Sequence, residues 1–269
     1  MASVLNVSAY LFTSIDDPAS LRVVLRERAA AAGLRGTILL AEEGVNLFLA
    51  GEADAVRGFV DDLRADARFA ALAPRESWSD AVPFGRLLVK VKREIIRMDR
   101  PEVRPQDGRA PAVSPATLRR WLDRGTDDRG REVVLVDTRN AFEVDYGTFA
   151  GAKDWRIERF TQFPDAARSH RDDLAGKTVV SFCTGGIRCE KAALHLREEG
   201  VDAYQLDGGI LGWFADQGGA HWEGACFVFD GREALDADLA PATAPPVDAA
   251  AGAPRTVVEA DPIAARVGA

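Results

Sequence analysis

The residues best suited to chemistry lie in one short run, SFCTGGIRCE, at positions 181–190. An apolar stretch leads into it and predicts a buried strand that ends at Cys183, and a helix is expected directly after the glycine pair, Gly185 and Gly186. Glycines let the backbone curl around the sulfur, and successive N–H groups in such a loop form a nest for an anion. The helix N-terminus and Arg188 add positive charge, so the sequence predicts a lowered pKa for Cys183.

The alternative for Cys183 is a buried thiol that only packs, which is the commoner situation for a single cysteine. The strand-end position, the glycine pair and the arginine together favour a reactive residue. We therefore predict that Cys183 and Arg188 are catalytic and that the residues between them cradle an anion or substrate: Thr184, Gly185, Gly186 and Ile187. Cys189 could be a resolving thiol, but packing is favoured, and Cys226 is expected in the core.

The composition is that of an ordinary globular protein, with 269 residues, 47% hydrophobic and 28% charged, enough for two domains. No apolar run approaches the roughly 20 residues that span a bilayer, and the start lacks the basic segment of a secretory signal, so we expect a cytoplasmic protein. Three cysteines cannot provide a disulfide framework. Three widely spaced histidines and the lack of a dinucleotide-binding fingerprint predict no metal site and no identifiable cofactor.

The net charge of −8 argues against bulk binding of nucleic acid, but the charge is unevenly distributed. Residues 86–109 contain eight basic and four acidic side chains, so a polyanion is expected to bind there. On a strand, Lys90 and Lys92 point to the same face, away from the core, and Arg93 and Arg97 extend this basic strip. The alternative, which the residues leave open, is an edge strand with lysines that discourage aggregation.

The first hundred residues alternate strand and helix patterns in the order β-α-β-β-α-β, which predicts a ferredoxin-like α+β domain over residues 1–97. Two strands flank the turn at 42–44, helices are expected after Asp17 and across 52–65, and the last strand is expected within 86–96. Helices cover one face of such a sheet. We expect a partner on the other face.

The rest of the chain divides into three segments. Residues 98–113, with three prolines and mixed charge, lack periodicity and predict a linker. From Ser114 strands alternate with helices, and the runs VVLVD, TVVSF and AYQLDGG predict an α/β domain with a parallel sheet over residues 114–230. Residues 231–269 are poor in large apolar side chains, which predicts a mostly disordered tail.

Several motifs of the second domain resemble the rhodanese domain. They are VDTR at 136–139, GTFAGA at 147–152, CTGGIRCEKA at 183–192 and YQLDGGI at 204–210. A departure from the usual rhodanese pattern at 148–149, together with CFVFD at 226–230, is similar to one subgroup, the rhodanese-type oxygen-dependent tRNA uridine hydroxylases. The first domain agrees, because GTILLAEEGVN at 36–46 and VKVKREII at 89–96 are similar to motifs of that family.

The resemblance implies an enzyme that hydroxylates the wobble uridine of tRNA at C5, with molecular oxygen as co-substrate and Cys183 as the essential residue. It makes the rhodanese-like domain catalytic, adds Arg139 to the substrate cradle, and makes the ferredoxin-like domain the one that contacts RNA. The candidates for contact with the tRNA backbone are then Lys90, Lys92, Arg93 and Arg97. No protein partner can be inferred.

Three other functions compete with this one. A rhodanese-type sulfurtransferase would use the same loop to hold Cys183 as a persulfide. A phosphatase is disfavoured, because related phosphatases separate their cysteine and arginine by one residue more than the four that lie between Cys183 and Arg188. A tRNA-binding module with a vestigial site is disfavoured by the intact cysteine and arginine.

Overall fold

The computed structural model describes residues 3–242, and its first domain is built on one five-stranded sheet. In chain order the elements are β1 (Val4–Phe12), α1 (Pro18–Ala31), β2 (Arg35–Ala41), β3 (Gly44–Gly51), α2 (Ala53–Arg64), β4 (Arg75–Ser79) and β5 (Leu87–Val91). The first six elements after the N-terminus follow the order β-α-β-β-α-β, so the predicted ferredoxin-like fold is confirmed. The sheet order is β4-β1-β3-β2-β5, with β5 parallel to β2.

The identity of the closing strand differs from the prediction. The sequence placed it within residues 86–96, but β5 ends at Val91 and lies at the edge beyond β2, whereas β4 closes the fold at the other edge. β4 reads RESWS and has one large apolar residue, Trp78, so it shows no hydrophobic alternation. It is a strand because its backbone pairs with β1, in a register that places Ser77 opposite Asn6.

Both helices of the first domain begin where the sequence predicts. The Asp17 carboxylate accepts the N–H of Ser20 at 3.1 Å, and Pro18 occupies the first turn of α1. Glu52 caps α2 in the same way, by accepting the N–H of Ala55 at 3.1 Å. These caps satisfy N–H groups that have no partner within the helix.

Alternation along the strands decides which side chains meet the helices. In β1 the odd-numbered residues from Leu5 to Ala9 are buried in one core with Leu25 of α1 and Phe59 of α2. The even-numbered residues, Tyr10 among them, lie on the opposite face. This second face is the one on which the sequence predicts a partner.

The second domain is a parallel sheet with helices, as predicted. Its elements are β6 (Ala112–Val113), α3 (Pro115–Arg124), β7 (Val133–Asp137), α4 (Ala141–Val144), β8 (Gly147–Phe149), β9 (Lys153–Asp154), α5 (Phe163–Ser169), α6 (Arg171–Leu174), β10 (Thr178–Phe182), α7 (Ile187–Glu198), β11 (Asp202–Leu206), α8 (Gly209–Gln217), β12 (Trp222–Gly224), β13 (Cys226–Phe227) and β14 (Ala234–Leu235). The sheet order is β6-β11-β10-β7-β9, and its neighbouring strands are parallel. None of the helices within residues 3–242 is long and apolar enough to cross a membrane.

The segment predicted as a linker, residues 98–113, packs as part of the second domain. Met98, Val103 and Ala110 are buried in its core, and β6 extends the sheet beside β11. The sequence does not predict this packing, because single residues are buried along an irregular backbone and no hydrophobic period marks a buried face.

The predicted tail begins later than expected. Residues 231–242 are ordered: β14 pairs with β13, and Leu235 is buried against Leu211 and Val228. A two-residue strand is too short to stand out in a segment of this composition. Residues 243–269, on which the rest of that prediction falls, lie outside the described residues.

The open face of the first sheet is covered by the second domain. The Tyr10 hydroxyl donates to Glu190 at 2.9 Å, and buried Lys191 pairs with Glu43 and Glu94. Apolar side chains of both domains meet beside these pairs: Phe12, Ala41, Ile95 and Ile187. The sequence leaves the partner on this face undefined, and the structure shows that the chain's own second domain packs there.

We expect Leu235→Ala to lower the free energy of unfolding by about 2–4 kcal/mol, because it removes a fully buried side chain. Urea denaturation followed by circular dichroism measures this. Val91→Ala is the control, since Val91 is 41% exposed and its truncation should cost less than about 0.5 kcal/mol. Equal and small losses for the two variants would show that residues 231–242 do not pack.

Candidate functional site

Cys183 lies directly after β10, the central strand of the parallel sheet, where the chain turns into α7. Its side chain is 1% exposed, and its Sγ accepts the N–H of Gly186 at 3.2 Å. The start of α8 supports the loop, because the N–H groups of Ile210 and Leu211 donate to the carbonyl oxygens of Cys183 (2.9 Å) and Thr184 (3.0 Å). The loop is therefore fixed from both sides around the sulfur.

Gly186 has a conformation and a neighbour that only glycine accommodates. Its φ is +106°, and a Cβ there would lie 2.9 Å from the Tyr10 hydroxyl oxygen. Gly185 differs, because its φ is ordinary and a Cβ would lie 3.5 Å from the Ser8 Oγ, which is van der Waals contact. The first domain therefore contacts the cysteine loop, residues 183–186, directly.

The three cysteines differ in acidity. Burial by itself raises the pKa of Cys183, but the neighbouring Cys189 thiol, the charge of Arg188 and backbone N–H groups of α7 outweigh burial and lower the pKa to about 5. Burial and the Cys183 thiolate raise the pKa of Cys189, whose thiol donates to the Gly186 carbonyl at 2.9 Å. Burial also raises the pKa of Cys226 to about 12. At neutral pH, Cys183 is the thiolate, as the sequence predicts.

Arg188 acts on Cys183 through its charge while a carboxylate holds its side chain. Its two Nη atoms donate to the carboxylate of Glu143 at 2.6 and 2.7 Å, and both side chains are buried. Glu143 is itself positioned at the start of α4, where it accepts the N–H of Asn140 at 3.0 Å. This bidentate pair orients the guanidinium beside the loop.

Arg139 does not join the cradle. Its Nε and Nη2 donate to the Asp137 carboxylate at 2.9 and 2.6 Å, and Nη2 also donates to the Gly147 carbonyl at 2.7 Å. The side chain is fully buried and does not line the space at Cys183. In the structure, Arg139 connects the end of β7 to β8. The sequence motif does not reveal this, because it does not indicate which residue binds the arginine.

A cavity of about 390 Å³ opens between the two domains at Cys183, a volume within the range of small-molecule sites. The open sheet face supplies Ser8, Tyr10, Asn46 and Phe48, the cysteine loop supplies Cys183, Thr184, Gly185, Ile187 and Arg188, and the rest of the second domain supplies Phe160, Val228 and Phe229 among others. Within residues 3–242 no cluster of histidine, cysteine or carboxylate side chains could hold a metal ion. Most of the wall is apolar or aromatic.

The basic residues predicted to contact RNA are only partly at this cavity. Arg97 lines it, whereas Lys90, Lys92 and Arg93 do not, and Arg93 and Arg97 both pair with Asp99. That Lys90 and Lys92 contact RNA stays a prediction. Sequence reasoning missed three other arginines of the cavity wall, at positions 75, 159 and 232, because no local motif marks them.

Comparison with known proteins covers both domains. Residues 4–95 match the UPF0176 acylphosphatase like domain, and residues 114–216 match the Rhodanese-like domain. A protein of Delftia acidovorans named tRNA uridine(34) hydroxylase is 65% identical over 241 residues, which are 89% of this chain and 92% of that protein. This chain belongs to the tRNA uridine(34) hydroxylase family. Relatives of the same name from Variovorax paradoxus and Bordetella pertussis are 65% and 64% identical and cover 89% and 90% of this chain, and 91% and 99% of their own length.

Membership of the tRNA uridine(34) hydroxylase family confirms the resemblance seen in the sequence motifs. In this member of the family the two matched segments meet at the cavity, with Tyr10 from the first and Cys183 from the second. The cavity is thus a feature of the two domains together.

We expect the rate of Cys183 alkylation by iodoacetamide to rise as the pH increases through about 5 and to be level by neutral pH, since the thiolate is the reacting form. Cys189 and Cys226 should react far more slowly at pH 7, because their pKa values are raised. Peptide mass spectrometry at a series of pH values measures all three. A midpoint for Cys183 near the ordinary thiol value of about 8.5 would contradict the assignment.

Gly186→Ala should destabilise the protein by about 1–3 kcal/mol, since alanine resists the positive φ and its Cβ meets Tyr10. It should also slow alkylation of Cys183 at pH 7 by moving the N–H that Sγ accepts. Gly185→Ala is the matched control and should retain both stability and reactivity. Similar results for the two variants, in urea unfolding and alkylation, would exclude this role for Gly186.

Proposed function

We propose that this protein hydroxylates uridine 34 of tRNA at C5, with Cys183 as the nucleophile, dioxygen as co-substrate and the cytoplasm as its location. Relatives that are 65% identical over most of this chain carry the name tRNA uridine(34) hydroxylase. The observation that carries the proposal is a cysteine thiolate in the wall of a cavity about 390 Å³ in volume, enclosed by two domains. A flipped or single-stranded anticodon base is the substrate that such a cavity fits.

In the proposed reaction the Cys183 thiolate forms a bond to C6 of uracil, and the electron pair of the C5–C6 double bond moves toward C5 and the C4 carbonyl. Dioxygen then supplies one oxygen atom to C5. A thiol reductant supplies two electrons, which with two protons convert the other oxygen atom to water. Loss of the C5 proton and cleavage of the C6–S bond restore the ring and the thiolate.

The described side chains support the first step. Cys183 is ionised at neutral pH, and the Gly186 N–H that its Sγ accepts holds the sulfur in place at the cavity. Phe48 and Phe229 line the same cavity and offer flat apolar surfaces to a base. That the reaction needs no resident metal or cofactor stays a prediction.

The test is to incubate the purified protein with unmodified tRNA and a thiol reductant, in air and under nitrogen. We expect nucleoside mass spectrometry to find uridine heavier by one oxygen atom at position 34 in air and none under nitrogen. Cys183→Ser should abolish this product, because serine has nearly the same shape and no thiolate near neutral pH. Cys226→Ser is the matched control and should stay active, since Cys226 is buried away from the cavity.

The same experiment separates the hydroxylase from a sulfurtransferase. A sulfurtransferase would hold Cys183 as a persulfide in the same loop and would not need oxygen. A uridine that carries sulfur, or an equal yield under nitrogen, would therefore favour the sulfurtransferase and overturn the proposal.

A further inference from the structure

The cavity at Cys183 is positively charged in a protein whose net charge is −8. Two carboxylates, Glu76 and Asp230, are in its wall. Five arginines line it: Arg75, Arg97, Arg159, Arg188 and Arg232. Basic side chains thus outnumber acidic ones in the wall of the cavity.

Three of these arginines already have partners. Arg188 binds Glu143, Arg97 binds Asp99 at 2.8 Å, and Arg232 binds Asp230 at 2.6 Å. These ion pairs balance their charges within the protein. The two remaining arginines of the wall, Arg75 and Arg159, are not part of these ion pairs.

Neither Arg75 nor Arg159 makes an ion pair or a side-chain hydrogen bond within residues 3–242. Arg75 is half-buried in β4 beside Ser8, and its guanidinium lies over Gly208 at the start of α8, where a Cβ would be 2.4 Å from Nη2. Removing a cation from water without a partner is unfavourable, so this placement indicates an anionic ligand. Arg159 reaches the same cavity from the second domain, next to Phe160, and is exposed.

We propose that Arg75 and Arg159 bind phosphodiester groups of the RNA strand on either side of the nucleotide whose base enters the cavity. The inference rests on the proposed function and adds the residues that position the strand. Guanidinium groups bind phosphate oxygens bidentately, and a single strand that places one base against the aromatic wall brings its backbone to the rim. One arginine comes from each domain, so both domains grip the strand.

The test compares Arg75→Gln and Arg159→Gln with wild-type protein in fluorescence-anisotropy binding of an anticodon stem-loop RNA at several KCl concentrations. We expect each variant to lower the slope of log Kd against log salt by about 0.7, the value for one lost phosphate contact on a single strand. Each should also raise KM for tRNA about tenfold while kcat stays nearly constant. Arg75→Lys keeps the charge and should keep the wild-type slope.

Arg26→Gln is the matched control, because Arg26 is exposed on α1, on the other side of the first sheet, and does not line the cavity. It should leave slope and KM unchanged. If wild-type protein modifies tRNA but the Arg75 and Arg159 variants keep its slope and KM, this inference fails while the proposed function stands. If wild-type protein neither binds nor modifies tRNA, the proposed function fails.

A free phosphate ion is the other source of the same chemistry. We therefore measure the shift in melting temperature that inorganic phosphate causes at constant ionic strength. This shift should be no larger for wild-type protein than for Arg75→Gln. A phosphate-dependent rise that Arg75→Gln abolishes, together with an unchanged RNA slope, would show a phosphate site and overturn the inference.

Discussion

Lys191 is buried between the two domains, and its Nζ donates to Glu43 at 3.0 Å, to Glu94 at 2.7 Å and to the carbonyl of Ile96 at 3.1 Å. It belongs to α7, the helix that starts at the cysteine loop, while its three partners belong to the first half of the chain. Breaking such a pair would leave a buried charge without compensation, at a cost of about 3–5 kcal/mol. The contact therefore fixes where the first sheet sits on the cysteine loop, and the cavity depends on that position.

A second interdomain contact acts closer to the cysteine. Glu190 is 1% exposed and accepts the Tyr10 hydroxyl at 2.9 Å and the Arg109 Nε at 2.8 Å. Tyr10 also lies against Gly186, whose N–H donates to Cys183. The cysteine loop is therefore packed between the sheet of its own domain and the sheet of the first domain. Tyr10 of the first domain thus contacts both the cysteine loop and the carboxylate of Glu190.

The electrostatics of the site divide into two parts with different physical purposes. Around Cys183, a charge already neutralised by Glu143 and a set of short-range hydrogen bonds stabilise the thiolate against the opposing effect of burial. At the cavity wall, Arg75 and Arg159 make no ion pair or side-chain hydrogen bond with the part of the chain that the structure describes. The first part stabilises the thiolate and is complete within the protein, whereas in the inference drawn above the second part is completed by an anionic ligand.

The sequence by itself determined the features that depend on neighbours along the chain. The strand, glycine pair and helix around Cys183 are local patterns, and so are the caps that begin α1 and α2, because hydrogen bonds and backbone preferences act within a few residues. The motifs of the cysteine loop and of the first domain were enough to identify the family, since they are long and ordered.

Only the tertiary structure decided what those local features meet. β4 is a strand because β1 pairs with it, Arg139 is bound by Asp137 away from the cavity, and Arg75 reaches the start of α8 from another domain. Strand pairing, buried ion pairs and domain docking join residues that lie far apart in the chain, and their energies depend on burial and distance, which the order of residues does not contain. The cavity at Cys183 is formed by such long-range contacts.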